Sequence, residues 1–520
     1  MAHIVQMSGS LFNHIIAQYL ALRFKQLERA GQQVDQNQEK LLKLLLSEAA
    51  DTEYGRQYGF SSIRSRKQFQ EQIPLVRYQD LVSRINDMML GKSDVLWPGQ
   101  LKYFAKSSGT THQRSKFIPI SNAYLRSNLI RSSWDTTAFI YHQDPGAEIF
   151  KHKSLIMGGS LHPFASNRDI LVGDVSAIMI KTIPFIGRPF YTPDFSVALL
   201  SNWEEKIARI CKQCIDENVV MFGGVPTWNI VLFNKILQIT GKSNILEVWP
   251  NLSFYLHGGV NFDPYKETFK KFIPKKDFTY IEAYNASEGY FAVQDTREDG
   301  MRLLADNGIY YEFLPLSELG KEDAHLKTLD LTEVQTDTDY VLVITNCSGL
   351  WRYIIGDTVR FTTLHPHRIK VTGRIEQYIN AFGEEVMIGD TDKALSMTLE
   401  KLKLGLKEYT VAPCYLDDNN RGYHEWLIEF EQVPANLEEF ELELDQSLRQ
   451  INSDYDAKRT ADLALERLKV HIAPRGLFHH WLKLKNKMGG QYKIPRLSND
   501  RKHFEEIIGL QTQISDPEHG

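Results

Sequence analysis

The 520-residue chain is 42% hydrophobic, carries a formal net charge of -5 and has four cysteines. That composition can bury two or more cores, at roughly 100–200 residues per domain. It gives no global electrostatic reason to bind nucleic acid or an anionic membrane, and four cysteines are too few for a disulfide scaffold. A cytoplasmic protein acting on small molecules is expected, with neither nucleic acid nor membrane as partner.

Residues 1–25 mix His14, Gln18 and Arg23 into an amphipathic helical pattern without the cationic start and apolar core of an export signal. No later segment reaches the roughly 18 apolar residues of a membrane-spanning helix. Residues 41–46 read as helix entering a break at Thr52-Glu53-Tyr54-Gly55, and a further helix runs from about Tyr78 to Leu90. The first 94 or so residues are thus a helical preface.

From Leu96 to about Thr372, β-rich runs alternate with helical patterns, which argues for an α/β protein with a mixed or parallel sheet. Ser107-Ser108-Gly109-Thr110-Thr111, then Lys116 and the strand-like Phe117-Ile118-Pro119-Ile120, suits a phosphate cradle. Glycine frees backbone N–H groups, the hydroxyls add donors and the lysine supplies a cation. On these residues alone a polar surface turn is an equal reading. Strand runs follow at 154–157 and 219–222, the latter ended by Gly223-Gly224 and Pro226. Cys211 and Cys214 fall at helical spacing after Trp203 and are expected on a helix, with no second pair to complete a thiolate metal cage.

Tyr284-Asn285-Ala286-Ser287-Glu288-Gly289 follows the apolar run Phe278-Thr279-Tyr280-Ile281 and is expected at a strand end, where α/β proteins place ligands. Tyr284 suits stacking on a base and Glu288 suits Mg²⁺; a strand-end turn with a solvated acid is the alternative. In Tyr353-Ile354-Ile355-Gly356-Asp357 the acid can accept from both ribose hydroxyls. Gly373-Arg374 ends another strand and offers a cation to ribose or phosphate, or a solvated turn. The region from about Glu376 onward is more charged, with helices expected over 438–448 and 462–470, as in a smaller mobile domain.

SSGTT with its lysine, YNASEG, YIIGD and GRIEQYINAFGEEV, in this order, resemble the adenylate-forming superfamily of acyl-CoA synthetases, luciferases and peptide synthetase adenylation domains. Ile73-Pro74-Leu75 with Tyr78, Trp97-Pro98-Gly99, the Ala105 to Thr111 entry and Gln491-Tyr492-Lys493-Ile494-Pro495-Arg496 resemble one branch of it. That branch is the Gretchen Hagen (auxin-responsive promoter) acyl acid amido synthetase family, and the likeness spans residues 41–496.

The resemblance implies an adenylate-forming (firefly luciferase-like) fold: a large N-terminal domain, 1–374, with the ATP and acyl-acid sites, and a small mobile α+β domain, 375–520. A carboxylate would join the α-phosphate of ATP and release pyrophosphate, and an amine, expected to be an amino acid, would then displace AMP. A ligase loading coenzyme A or an acyl carrier, and a non-catalytic nucleotide-binding protein, are the alternatives.

Residue by residue, the resemblance puts Ser107, Ser108, Thr110, Thr111 and Lys116 on phosphate. It puts Gly258, Gly259 and Tyr284 at adenine, Ser287 near the α-phosphate or acyl group, and Glu288 on Mg²⁺. Asp357 falls on ribose, Arg374 at ribose or hinge, and Lys493 is the candidate C-terminal lysine of adenylation, with an exposed surface lysine as the alternative. The acyl pocket would lie between about 124–137 and 222–229, with Arg126, Arg131, Trp134 and Trp228 as candidate lining, against solvated helix arginines and core packing of both tryptophans as the commoner readings. One departure is His112-Gln113-Arg114-Ser115 where a second glycine is common; it leaves Arg114 to share the phosphate role with Lys116.

Overall fold

The computed structural model describes residues 2–107, 116–259, 262, 265–296, 300–318, 326–375, 378–384, 386–416, 421–460, 465–485 and 494–511; side chains at 2–8, 227, 267, 317, 374 and 378 are not among those described. The chain opens with two helices, Ala2–Gln32 and Val34–Glu48. The second buries Leu42, Leu45 and Leu46, together with Gln38, whose carboxamide donates to the carbonyls of Ala305 and Ile309 and accepts from Tyr311 N–H. A polar side chain is tolerated there because each of its groups is satisfied. The helix Tyr78–Met89 buries Leu81, Ile85, Met88 and Met89, one helical face. Its start is fixed by Asp80, which accepts from the N–H of Arg77 at 2.7 Å.

In chain order the strands of the larger part are β1 (Tyr103–Ser107), β2 (Lys116–Ile120), β3 (Lys153–Leu155), β4 (Leu161–Phe164), β5 (Asn167–Gly173), β6 (Tyr191–Thr192), β7 (Val219–Gly223), β8 (Phe254–Gly258), β9 (Thr279–Ala286), β10 (Gly289–Val293), β11 (Met301–Leu303), β12 (Ile309–Pro315), β13 (Asp339–Asn346), β14 (Tyr353–Leu364) and β15 (His367–Arg374). Eleven of them form one sheet, ordered β12-β13-β14-β15-β11-β10-β9-β8-β7-β3-β6. From β6 to β9 the neighbours run parallel, and the remainder pair antiparallel. The strands β2-β1-β5-β4 form a second sheet. β13 is an almost unbroken buried run, as a strand covered on both faces requires. The mixed α/β architecture expected from the alternating pattern is therefore present.

Beyond residue 377 the short pair Tyr378–Ile379 and Val386–Met387 (β16, β17) precedes β18 (Leu406–Tyr415), β19 (Gly422–Phe430) and β20 (Lys469–Ile472), which form a three-stranded sheet. Helices Ile388–Leu402 and Leu437–Ile451 flank it; the latter is the helix expected over 438–448. The helix expected over 462–470 is overturned. Lys469–Ile472 is a strand parallel to β19, and Leu465 bridges to Gly422. Leu465 and Leu468 are three apart and imitate a helix face, but the buried pair Leu468 and Val470 is two apart, the strand period. Buried apolar residues up to Ile369 and those from Ile379 onward fall into separate clusters. Among the described residues no helix is long and apolar enough to cross a membrane.

Cys211 and Cys214 lie buried on the helix Trp203–Cys214, and burial pushes their thiols up to about 11 and about 12. Trp203 of the same helix stacks on Trp228 with centroids 3.9 Å apart and rings 1° from parallel. Lys206 caps the outer face of Trp203 at 4.2 Å, and Lys458, from the later part of the chain, caps Trp228 at 4.3 Å. Lys206 is buried and donates to the carbonyl of Gly158 at 2.6 Å, and desolvation lowers its ammonium to about 8.

The folded state therefore binds fewer protons than the unfolded chain between about pH 8 and 10.5, so this group makes stability rise with pH across that window. Lys206→Met is expected to remove up to about 3 kcal/mol of that rise. Urea unfolding of both proteins at pH 7.5 and 9.5 checks it; parallel pH dependences would contradict the assignment.

Candidate nucleotide site

The C-terminal ends of β7, β8 and β9 converge with β14 and β15, and the motif residues gather there. Ser107 ends β1 directly opposite Lys116 on β2, so the two strands deliver both ends of the hydroxyl-rich loop. Ser108, Thr110, Thr111, Arg114 and also Lys493 lie outside the described residues. β8 registers Gly258 against Ala283 of β9, and a Cβ at 258 would stand 2.3 Å from the Ala283 carbonyl. Only glycine fits that approach. Gly259 follows at φ +83°, a left-handed backbone that turns the chain across the strand end.

YNASEG lies at a strand end, as expected, and carries on through the turn into the next strand. Tyr284 and Asn285 lie within β9, Ser287 and Glu288 make the turn, and Gly289 opens β10. The Tyr284 hydroxyl donates to Asp357 Oδ2 at 2.6 Å, joining this hairpin to the YIIGD segment 73 residues later. Asp357 in turn registers against Arg374 across β14 and β15. Tyr284, Glu288 and Asp357 are all buried. Three of the four motifs thus meet at one place through one side-chain bond and one strand register.

Several residues that hold the site carried no signal in the sequence. The buried Tyr124 hydroxyl donates to the main-chain carbonyl of Glu288 at 2.7 Å, and burial keeps that phenol protonated by raising it well above its ordinary value. A Cβ at Gly289 would come within 2.1 Å of that hydroxyl, so the glycine permits the bond. Asn128, in the π-helical turn Leu125–Ile130, accepts from Tyr290 N–H and donates to the carbonyls of Tyr290 and Asn307. The π turn marks an irregularity of the kind found at functional sites. The hairpin is therefore clamped by the element that follows the phosphate-loop strand. Ser121, just past β2, also bonds the Cys347 carbonyl and the Ser348 hydroxyl ahead of β14.

Of the expected acyl-pocket lining, Trp228 is core, stacked as described above. Trp134 stacks on Phe150 at 5.6 Å, Arg131 pairs with Asp306 at 2.6 Å, and Arg126 is exposed. Among the described residues no three His, Cys, Asp or Glu side chains gather as a metal cage. A single carboxylate such as Glu288 fits Mg²⁺, which takes most of its ligands from phosphate and water.

The GH3 family N-terminal domain matches residues 23–199 and 166–278, the central domain 302–374 and the C-terminal domain 389–502. The indole-3-acetic acid-amido synthetase GH3.3 of Arabidopsis thaliana is 25% identical over 559 residues, covering 92% of this chain and 91% of that protein. The solved AtGH3.15 acyl acid amido synthetase in complex with 2,4-DB has 18% identity and a TM-score of 0.58, over 94% of this chain and 95% of that one. A 2-hydroxyisobutyryl-CoA ligase bound to 2-HIB-AMP and CoA has 15% identity and a TM-score of 0.55, over 92% of each chain. The fold is that of the adenylate-forming ligases. Within that class, the chain belongs to the GH3 family.

Proposed function

We propose that the chain is an ATP-dependent acyl acid amido synthetase, forming an acyl-adenylate and passing the acyl group to an amine, most simply an amino acid. The observation that carries this is the Tyr284–Asp357 bond, which unites the two nucleotide motifs at the strand ends, in a chain matched by all three GH3 domains. Asp357 would accept from the ribose hydroxyls. Tyr284 and the Gly258-Gly259 turn would border adenine, and Ser107, Ser108, Thr110, Thr111 and Lys116 would hold the phosphates. Ser287 would sit at the α-phosphate, with Arg374 at ribose or hinge and Lys493 brought in by the smaller domain. Glu288 would hold Mg²⁺, which when bound offsets phosphate charge.

The substrate carboxylate oxygen attacks the α-phosphorus and the bond to pyrophosphate breaks. The amine nitrogen then attacks the acyl carbon and AMP leaves. AMP is already a good leaving group, so positioning and electrostatics suffice without a protein nucleophile. The separate buried clusters on either side of residues 374–378 support a division into 1–374 and 375–520. A cytoplasmic location fits the four unpaired cysteines.

Purified protein given ATP, Mg²⁺ and a panel of carboxylic acids, indole-3-acetate included, is expected to release pyrophosphate with at least one acid. Added amino acids should then yield an amide. Silence across the panel defeats the enzyme reading, and a thioester formed with coenzyme A in place of an amide defeats the choice of acceptor.

Tyr124 tests the clamp. Tyr124→Phe leaves the Glu288 carbonyl short of its donor, at about 1–3 kcal/mol of stability. The expected result is a several-fold rise in the Mg²⁺ concentration giving half-maximal pyrophosphate release. Tyr290→Phe deletes an equally buried hydroxyl, bonded to Thr136 at 2.8 Å, and should leave that concentration unchanged. Equal shifts in both variants would reduce Tyr124 to a packing role.

A further inference from the structure

We infer that Glu384 and Asn380 are positioning residues of the nucleotide site: the buried Glu384–His424 pair shapes the segment 380–383 so that Asn380, from the later part of the chain, holds the Gly258-Gly259 turn. The inference rests on the nucleotide reading above, which puts that turn at adenine. Both residues lie in GRIEQYINAFGEEV, in a part of it to which that reading gives no task. The side chains of Glu384 and His424 are wholly buried. A carboxylate there is costly unless it is paired and hydrogen-bonded. Glu384 is bonded three times: its Oε1 accepts from Ala381 N–H at 3.2 Å and from His424 Nε2 at 2.7 Å, and its Oε2 from Phe382 N–H at 2.6 Å. An imidazole nitrogen facing a carboxylate carries the proton, so His424 donates. Two consecutive main-chain N–H groups are thereby turned inward onto one acid, and Gly383 completes the turn at φ +87°.

The other side of the same segment meets the larger part of the chain. Asn380 donates from Nδ2 to the Gly259 carbonyl at 2.8 Å, and the buried Tyr265 hydroxyl donates to the Ala381 carbonyl. The opposite orientation of the Asn380 carboxamide would set two oxygens against each other. Asn380 is fixed from behind as well, its own N–H donating to Asn499 Oδ1 at 2.7 Å. Gly383 brings the segment close to the strand-end turn after β7: a Cβ there would stand 3.5 Å from Val225 and 3.1 Å from Lys458. Glycine at 259 leaves the direction of its carbonyl weakly determined by the residue itself. The bond from Asn380 supplies that direction, and the bonds of Glu384 hold Asn380 where it can make it. The edge offered to the adenosine half of ATP is therefore set in part by an acid two links away, one that touches no nucleotide atom.

The test titrates the full-length protein with AMP, MgATP and magnesium pyrophosphate, none of which needs the acid substrate to be known. Asn380→Ala is expected to weaken AMP and MgATP about three- to tenfold, the worth of one hydrogen bond, while leaving pyrophosphate within about twofold, because pyrophosphate has no base. Glu384→Gln is expected to weaken the same two ligands, since glutamine sets an N–H against a donor that the carboxylate accepted from. In the double variant the two losses should not add, because both act through one contact. Unchanged AMP affinity in Asn380→Ala overturns the inference, as does an equal weakening of pyrophosphate, which marks a general structural effect. Additive losses in the double variant overturn the link from Glu384 to Asn380. If Glu384→Gln does not fold, Asn380→Ala decides alone. Failure of the unaltered protein to bind AMP or MgATP would instead defeat the nucleotide reading itself, and the two failures are distinguishable.

Discussion

Replacing Glu288 by glutamine is expected to slow pyrophosphate release by about 10²–10³-fold, the scale of losing one preorganised electrostatic contact to the reacting phosphates. Glutamine keeps the size and most of the hydrogen bonding of the side chain and removes only its charge. The backbone should stay in place, because the carbonyl of residue 288 is held by the Tyr124 hydroxyl and the N–H of Tyr290, two residues on, by Asn128. The effect is therefore on the cation and not on the hairpin. Rates measured against Mg²⁺ concentration should show both a lower plateau and a higher half-saturation point, with a thermal midpoint close to that of the native protein. Native-like release at limiting Mg²⁺ would remove Glu288 from the metal site.

The same hairpin shows what could be read in advance. YNASEG, YIIGD and GRIE were legible because glycines, hydroxyls and acids cluster locally, and local clusters survive in a linear text. The Tyr284–Asp357 bond that unites two of them spans 73 residues, and no periodicity encodes it. Tyr124 was hidden for a related reason: its partner is a backbone carbonyl 164 residues away, and any residue supplies a carbonyl. The missed strand β20 has another cause, since Leu465, Leu468 and Val470 satisfy helical and strand spacing in overlapping pairs and tertiary pairing with β19 decides. Trp228 is core, as the core-packing reading had it, because a second tryptophan, 25 residues earlier, stacks on it.

Arg352 carries the largest expected effect on stability. It precedes the YIIGD segment at φ +45°, a backbone that costs a non-glycine residue strain, and its side chain is almost wholly buried. The guanidinium meets the fully buried Glu312 through Nε at 3.2 and 3.1 Å and Nη2 at 3.0 Å. It also donates to the carbonyls of Gln70 at 2.8 Å and Ile73 at 2.7 Å and to the Thr328 hydroxyl at 2.8 Å. One side chain thus ties the helical preface to the strand that bears Asp357. Arg352→Met strands a buried carboxylate and two carbonyls and is expected to cost about 3–5 kcal/mol in urea unfolding. Pairing it with Glu312→Leu removes the stranded charge but not the stranded carbonyls, so the double variant should recover only part of the loss. A single-variant cost below about 1 kcal/mol would mean that water or a neighbouring cation replaces Arg352. Complete recovery in the double variant would mean that the contacts to Gln70 and Ile73 contribute nothing. With partial recovery, the preface is held to β14 by those two carbonyls, and the ATP affinity of the double variant should fall even where its fold survives, because Val76 of the same segment pairs with the strand that bears Asp357.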